Sequence, residues 1–140
     1  MNDTGSPREI GFTGTRHGMT PSQLGAIQRL LEENPEWMTV HHGGRVGADA
    51  QMHTLVLDQG REAVVHPSTP RLAAPIGQAT ELPRVPPSEA RRSIVDSSAV
   101  LIAAPAWPGS VRKALSSTVQ YAKHHGVPVI IVWPNGDTSE

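Results

Sequence analysis

The chain contains no cysteine, which excludes a disulfide framework, a thiolate metal site and a thiol nucleophile together. Aromatic residues are almost as scarce, with one Phe, one Tyr and three Trp. That is too few for the stacking platform that binds single-stranded nucleic acid. The formal charge is −1 and no stretch concentrates Lys or Arg, so the electrostatic footprint of a duplex-binding protein is missing as well. Nucleic acid is a disfavoured partner on both counts. No hydrophobic run reaches membrane-spanning length, the longest being Val127 to Trp133 with Pro128 inside it. Met1 to Arg8 is short and polar, and reads as a frayed start rather than a signal peptide. A cytoplasmic protein without membrane contact is expected.

What is present fits one domain spanning all 140 residues, a size that buries roughly two thirds of its unfolded surface. Glu9 to Thr13 is a short apolar segment, and Thr20-Pro21-Ser22-Gln23 after it carries a Thr cap, a first-turn proline and a reciprocal Gln. Leu24, Ile27 and Leu31 continue at helical spacing until Asn34-Pro35. Met38 to His42 predicts a second strand. A glycine loop follows it, then a helix with Ala48, Met52, Leu55 and Val56 on one face, closed by Gly60. Arg61 to His66 predicts a third strand. Six of the thirteen prolines fall between Pro67 and Pro87, which reads as a long irregular loop of the kind kept for function. Ser88 to Ser97 predicts a short helix, and Ala99 to Ala104 and Val127 to Trp133 predict doubly buried strands flanking a helix over about 111 to 125. Strands alternating with helices imply an α/β fold: a Rossmann-like three-layer sandwich of about five parallel strands in the order 3-2-1-4-5. Ligands then bind outside the carboxyl ends near the reversal between strands 1 and 4, which selects Thr13 to Met19, His42 to Asp49 and Ala104 to Arg112.

Thr13, Gly14, Thr15 and Arg16 leave the first strand with a close-approach glycine, two hydroxyls and a guanidinium, a set suited to an anion. Arg16 equally suits a helix cap or a pair with Asp49. His42, Gly43, Gly44, Arg45 and Gly47 form a glycine loop opening onto a helix, where free amides and the positive dipole end favour phosphate. Asp49 in the first turn competes for those amides, and capping the loop or holding a sugar hydroxyl are the other roles open to it. The spacing is neither the dinucleotide fingerprint nor a Walker loop. Ten of the twelve basic residues are arginine, which suits planar phosphate recognition and also follows from codon usage in a GC-rich genome. Seven histidines raise the question of a metal. His41 and His42 point to opposite faces of a strand, so no metal site is expected and hydrogen bonding of His53 and His66 to backbone or ligand is the better reading. Trp107 suits either base stacking or a packing lid.

Taken in order, these segments resemble the SLOG superfamily, which includes the DNA-processing protein A domain and the lonely-guy phosphoribohydrolases. The resemblance runs from Ile10 to Pro134 through Gly11 to Arg16, then Gly43, Gly44, Gly47, Asp49 and His53, then Arg91 or Arg92 with Ile94, Val95 and Asp96. It is strongest to small standalone members from bacteria and phages. It implies a nucleotide or nucleotide-derived ligand and a homo-oligomer, most simply a dimer. Arg92 and Pro105 are further candidate ligand contacts, and Ser116, Ser117 and Thr118 suit either hydroxyl donors to a ligand phosphate or the small residues of a helix turn packed on the sheet. Exposed apolar helix residues are a second reason to expect a dimer.

The chain departs from the phosphoribohydrolases after the fourth strand. Their Pro-Gly-Gly-x-Gly-Thr-x-x-Glu signature is replaced by Pro105-Ala106-Trp107-Pro108-Gly109-Ser110, and no Asp or Glu occurs between Asp96 and Asp137. N-glycosidic cleavage usually relies on such a carboxylate. Asp49, alone or with His53, is the first remaining catalytic candidate, with an ordinary pKa of about 3.9 that ill suits a general acid unless it is buried; Glu81 or Glu89 delivered by the proline-rich loop is the other source of a carboxylate. The expectation is therefore a sensor, carrier or sequestering protein for a phosphate-bearing small molecule, without cofactor. An N-glycosidase and a single-stranded DNA-binding protein are the alternatives.

Overall fold

The computed structural model describes residues 7–69, 78–106 and 114–140. Chain order is β1 (Glu9–Gly14), α1 (Pro21–Glu33), β2 (Thr39–His42), α2 (Ala48–Asp58), β3 (Glu62–Val65), β4 (Thr80–Glu81), α3 (Pro87–Asp96), β5 (Val100–Ala104), α4 (Ala114–His124), β6 (Val129–Val132) and β7 (Thr138–Ser139). One sheet holds the strands in the order β4-β3-β2-β1-β5-β6-β7. All neighbours pair in parallel except β6 and β7.

Alternation along each strand divides the core in two. Ile10, Phe12, Val40 and Ile102 face α1 and α2, where they meet Ile27, Leu31, Met52 and Val56. Leu101, Ala103, Val129 and Ile131 face the other way, against Ile94 and Val95 of α3 and Val119 and Ala122 of α4. Each large side chain so buried contributes about 1.5 to 3 kcal/mol. The result is a Rossmann-like α/β sandwich whose chain leaves β1 toward β2, β3 and β4 on one side and returns to β5, β6 and β7 on the other.

The strand count is seven rather than about five, and β7 is antiparallel. The two additions are edge strands of two residues, too short to carry a period. The proline-rich span is also more regular than its composition suggests. Val64 and Val65 pair with Thr80 and Glu81, and Ser68 bridges to Val85, so its described part extends the sheet edge; residues 70–77 lie outside the described residues. Helix α3 begins at Pro87, with proline in its first turn.

Polar staples set the ends of α1. Thr20 Oγ1 accepts from the Gln23 amide at 3.0 Å and Gln23 Oε1 accepts from the Thr20 amide at 2.9 Å, the reciprocal cap that the sequence predicts. Fully buried Gln23 then donates from Nε2 to the carbonyls of Pro105 and Val132 at 2.8 and 2.9 Å. At the other end of α1 the guanidinium of buried Arg61 donates to the carbonyls of Leu31, Asn34 and Trp37. Among the described residues, no helix is long and apolar enough to cross a membrane. The exposed large apolar side chains there are Met38 and Val46, neither of them helical.

Candidate functional site

The carboxyl ends of β1, β2 and β3 open onto a small crevice of about 70 Å³, below the several hundred Å³ that hold a whole drug-sized ligand. Its walls are Phe12, Thr13 and Gly14 from β1, Gly43 and Arg45 from the loop after β2, Asp49 from α2, and His66 and Ser68 beyond β3. Pro87, Ala90, Arg91 and Ile94 of α3 close the remaining side. Gly14 lets this corner form, because a Cβ there would sit 2.6 Å from the Cβ of Ala48 at the start of α2. Gly47, at φ 90°, brings the loop against the backbone of Arg16.

Asp49 lies buried under the glycine loop. Its Oδ2 accepts from the Arg45 amide at 3.2 Å, and the Gly43 amide and the Arg45 charge also favour its anion. Burial outweighs all three and pushes its pKa up to about 6. The condition set by the sequence for a general acid is therefore met. The same arrangement commits the amides of Gly43, Gly44 and Arg45 within the protein. The Gly44 amide donates to His42 Nδ1 at 2.9 Å, and the Ala48 amide at the head of α2 donates to the Thr15 carbonyl at 2.9 Å. The glycine loop thus serves Asp49 and His42, where the sequence reading assigns its amides to an anion.

Positive charge at the crevice comes from side chains instead. Arg45 is exposed and Arg91 half-buried; among the described residues neither forms a salt bridge, although the Arg45 charge acts on Asp49 at longer range. Burial lowers the Arg91 pKa, with the charges of Arg45 and Arg92 adding to the effect.

Histidines fill both faces of β2. On the α2 side, His42 Nε2 lies 3.0 Å from His53 Nδ1. Because His42 Nδ1 already accepts from Gly44, neutral His42 carries its proton on Nε2 and donates to His53, whose own proton then sits on Nε2. That Nε2 is buried without a hydrogen-bond partner. Burial, with the neighbouring histidines adding to it, drives His42 down to about 3, and burial lowers His53 against a weaker upward pull from the Gln78 backbone. On the opposite face, His41 Nε2 lies 2.6 Å from Glu9 Oε1 and His41 Nδ1 lies 2.8 Å from His66 Nε2. Burial, then the charge of His41, holds His66 down to about 4. Among the described residues, no three His, Asp or Glu side chains are grouped to hold a metal ion.

Of the ligand residues expected from sequence, the crevice gathers Thr13, Gly14, Gly43, Arg45 and Asp49. Thr15 Oγ1 instead accepts from the His17 amide at 3.1 Å. Arg16 is exposed and makes no ion pair with Asp49. His42, His53, Gly44 and Gly47 support the crevice from behind. Arg92 is exposed where its neighbour Arg91 lines the wall, and Pro105 uses its carbonyl to accept from Gln23. Thr118 is buried and Ser117 exposed; Trp107 and the Ser116 side chain lie outside the described residues. Arg91 and His66 are the additions. A helical-phase count identifies Arg91, since it shares a face with buried Ile94 and Val95 at i+3 and i+4. His66 has its signal in the register, because its amide donates to the His42 carbonyl and so brings it to the same sheet edge.

No family model matches the chain, and no curated protein is similar to it.

Proposed function

We propose that the protein binds a nucleotide or nucleotide-derived small molecule in the crevice at the ends of β1, β2 and β3, with the ligand's phosphate between Arg45 and Arg91. The observation that carries this reading is a pair of arginines lining one crevice, neither of them within salt-bridge distance of a carboxylate among the described residues. Phosphate is the common ligand that answers two such charges with bidentate acceptors. The position agrees with the rule that open α/β sheets take ligands outside the carboxyl ends of their strands. The resemblance to the SLOG superfamily supports the nucleotide character of the ligand, and cytoplasmic residence and a homodimer belong to the same proposal. A ligand with Kd near 10 µM supplied at about 1 mM stabilises the folded state by roughly 2.7 kcal/mol. Thermal unfolding with a panel of mono-, di- and cyclic nucleotides checks it, and a uniformly flat response refutes it.

A second reading is an N-glycosidase of nucleotides, favoured by Asp49, whose pKa of about 6 places a proton donor inside the crevice near neutral pH. Chromatography of the same incubations for free base and ribose phosphate decides between them: products that vanish in Asp49→Asn establish the enzyme.

A further inference from the structure

Outside the phosphate site, the chain of hydrogen bonds from Glu9 through His41 to His66 has no structural necessity that a simpler residue would not meet. Its two ends differ. Glu9 is about a third exposed at 36% of its side chain, while His66 is buried and lines the crevice. Since Nε2 of His66 is committed to His41, Nδ1 is the nitrogen left for an occupant of the crevice.

The donors and acceptors in this chain can be arranged in two ways. With both rings neutral, His41 Nε2–H donates to the Glu9 carboxylate and His41 Nδ1 accepts from His66 Nε2–H, so His66 offers a lone pair at Nδ1. Let one proton enter at His66 Nδ1. The Nε2 proton of His66 then passes to His41 Nδ1, and His41 becomes an imidazolium against the Glu9 carboxylate. One N–H bond forms at each ring, one breaks at His66, and the single added charge rests on His41. His66 stays neutral but now presents an N–H to the crevice. The low pKa of His66 agrees with this placement of the charge.

We propose that His66 is a phosphate-binding residue, a third donor beside Arg45 and Arg91, and that the Glu9–His41 pair makes it one by taking up the Nε2 proton that His66 gives up. This inference rests on the proposed phosphate site and narrows its ligand to a phosphomonoester, whose dianion gains most from a site that takes up a proton as it binds. The titratable and charged groups on the elements around the pair are His42 on β2, Glu62 on β3, Glu81 on β4, Asp49, His53 and Asp58 on α2, and Glu89, Arg91, Arg92 and Asp96 on α3. Asp49 also takes up protons when an anion arrives, so the test must separate it from His41.

The test uses the whole protein with ring-nitrogen-labelled histidine, adenosine 5′-monophosphate as monoester and cyclic adenosine monophosphate as diester. Nitrogen NMR of the free protein between pH 5 and 8 is expected to show His66 Nδ1 gaining its proton in step with the second protonation of His41. Glu9→Gln keeps an acceptor for His41 but removes the charge, so it is expected to move that transition down by at least one pH unit. Calorimetry at pH 6.5 in two buffers of different ionisation heat is expected to show proton uptake with the monoester. Uptake should shrink in Glu9→Gln and persist in Asp49→Asn, and Glu9→Gln should bind the monoester about tenfold more weakly while changing the diester little. Monoester binding that needs Arg45 and Arg91 but ignores Glu9→Gln overturns the inference and leaves the phosphate site standing. A His66 tautomer that never changes overturns it without reference to any ligand. If neither nucleotide nor inorganic phosphate binds, the phosphate site itself is refuted and the inference with it.

Discussion

Two polar clusters occupy the carboxyl edge of the same sheet, and they are built on opposite principles. Beyond β5 and β6, Gln23 is fully buried and its side chain donates to two carbonyls and accepts from one amide, within a cap whose Thr20 hydroxyl also donates to the Pro134 carbonyl at 2.6 Å. Every hydrogen bond there ends inside the protein. Beyond β1, β2 and β3, two arginines form no salt bridge among the described residues, a buried carboxyl is held close to its protonated form, and a histidine keeps one ring nitrogen outside its bond to His41. Satisfied networks rigidify; partly open ones hold back capacity for something else. The difference marks one half of the edge as a clamp and the other as a site.

Breaking the clamp is expected to have the largest effect on stability. Gln23→Leu orphans the Pro105 and Val132 carbonyls and half of the α1 cap. Unsatisfied buried groups cost about 1 to 3 kcal/mol each and a lost cap about 1 kcal/mol, so a loss of about 4 kcal/mol is expected. In a domain of this size that lowers Tm by roughly 10 °C or more. Denaturant unfolding measures it directly, and a loss under about 1 kcal/mol would remove the distinction between the two halves.

The site half is expected to respond in the opposite sense. Asp49 has its pKa raised from 3.8 to about 6, so the folded state binds a proton that the unfolded state has released, and stability from this group falls as pH rises through that window. His42 and His66, lowered from 6.5 to about 3 and about 4, act the other way: the unfolded state takes up their protons, and stability falls as pH drops below 6.5. Between pH 6 and 4 these histidines, joined by His53, which burial lowers as well, oppose one carboxyl. Stability therefore falls on acidification, and Asp49→Asn, which removes the opposing group, steepens that fall by about 1.4 kcal/mol per pH unit. At pH 8 the same variant is expected to be unchanged or up to about 3 kcal/mol more stable, because the carboxylate's burial is relieved. Denaturation curves at several pH values give both numbers; equal slopes in the two proteins would contradict the burial of Asp49.

How far the sequence foretells this contrast depends on what carries each residue's role. The five central strands, the Thr20–Gln23 cap and two of the segments that frame the crevice, after β1 and after β2, were legible because apolar runs, caps and topology are written in side-chain types, whereas no described residue of the expected third segment, Ala104 to Arg112, lines it. Edge strands β4 and β7 were not, since two residues define no period, although Asn135-Gly136 is a hairpin signal that announces the turn before β7. Within the site, Gly14, Gly43, Arg45 and Asp49 were legible as neighbours on two loops. His66 needed the pairing of β2 with β3. Pro105 drew attention as a ligand residue, yet what counts is its carbonyl, a group every residue has. The amides of the glycine loop misled for the same reason: their acceptors, His42 Nδ1, Asp49 and Thr15 O, are set by the fold and not by the loop.

The arginines sharpen the contrast further. Arg45→Ala and Arg91→Ala are each expected to weaken phosphate binding by about 1.5 to 3 kcal/mol, the range for charge-assisted hydrogen bonds. Because neither forms a salt bridge among the described residues, both should leave unfolding within about 0.5 kcal/mol of wild type. A variant that binds weakly only because it is unstable would fail this pair of measurements.

The smallest effect is expected one residue away. Arg91 and Arg92 are adjacent, alike in chemistry and equally eligible in the sequence, but α3 turns about 100° between them. Arg91 falls beside Ile94 and Val95 on the buried face and reaches the crevice, whereas Arg92 falls with Asp96 at i+4 and is exposed. Its charge bears on Arg91 and Tyr121 only at a distance, where solvent and salt screen it. Arg92→Ala should therefore change phosphate affinity by less than about 0.5 kcal/mol at physiological ionic strength, and any change should shrink further as salt is added. Titration calorimetry on the two alanine variants at low and high salt tests this. If Arg92→Ala costs as much as Arg91→Ala and the loss survives high salt, the ligand approaches α3 from its outer face and the phosphate does not lie between Arg45 and Arg91.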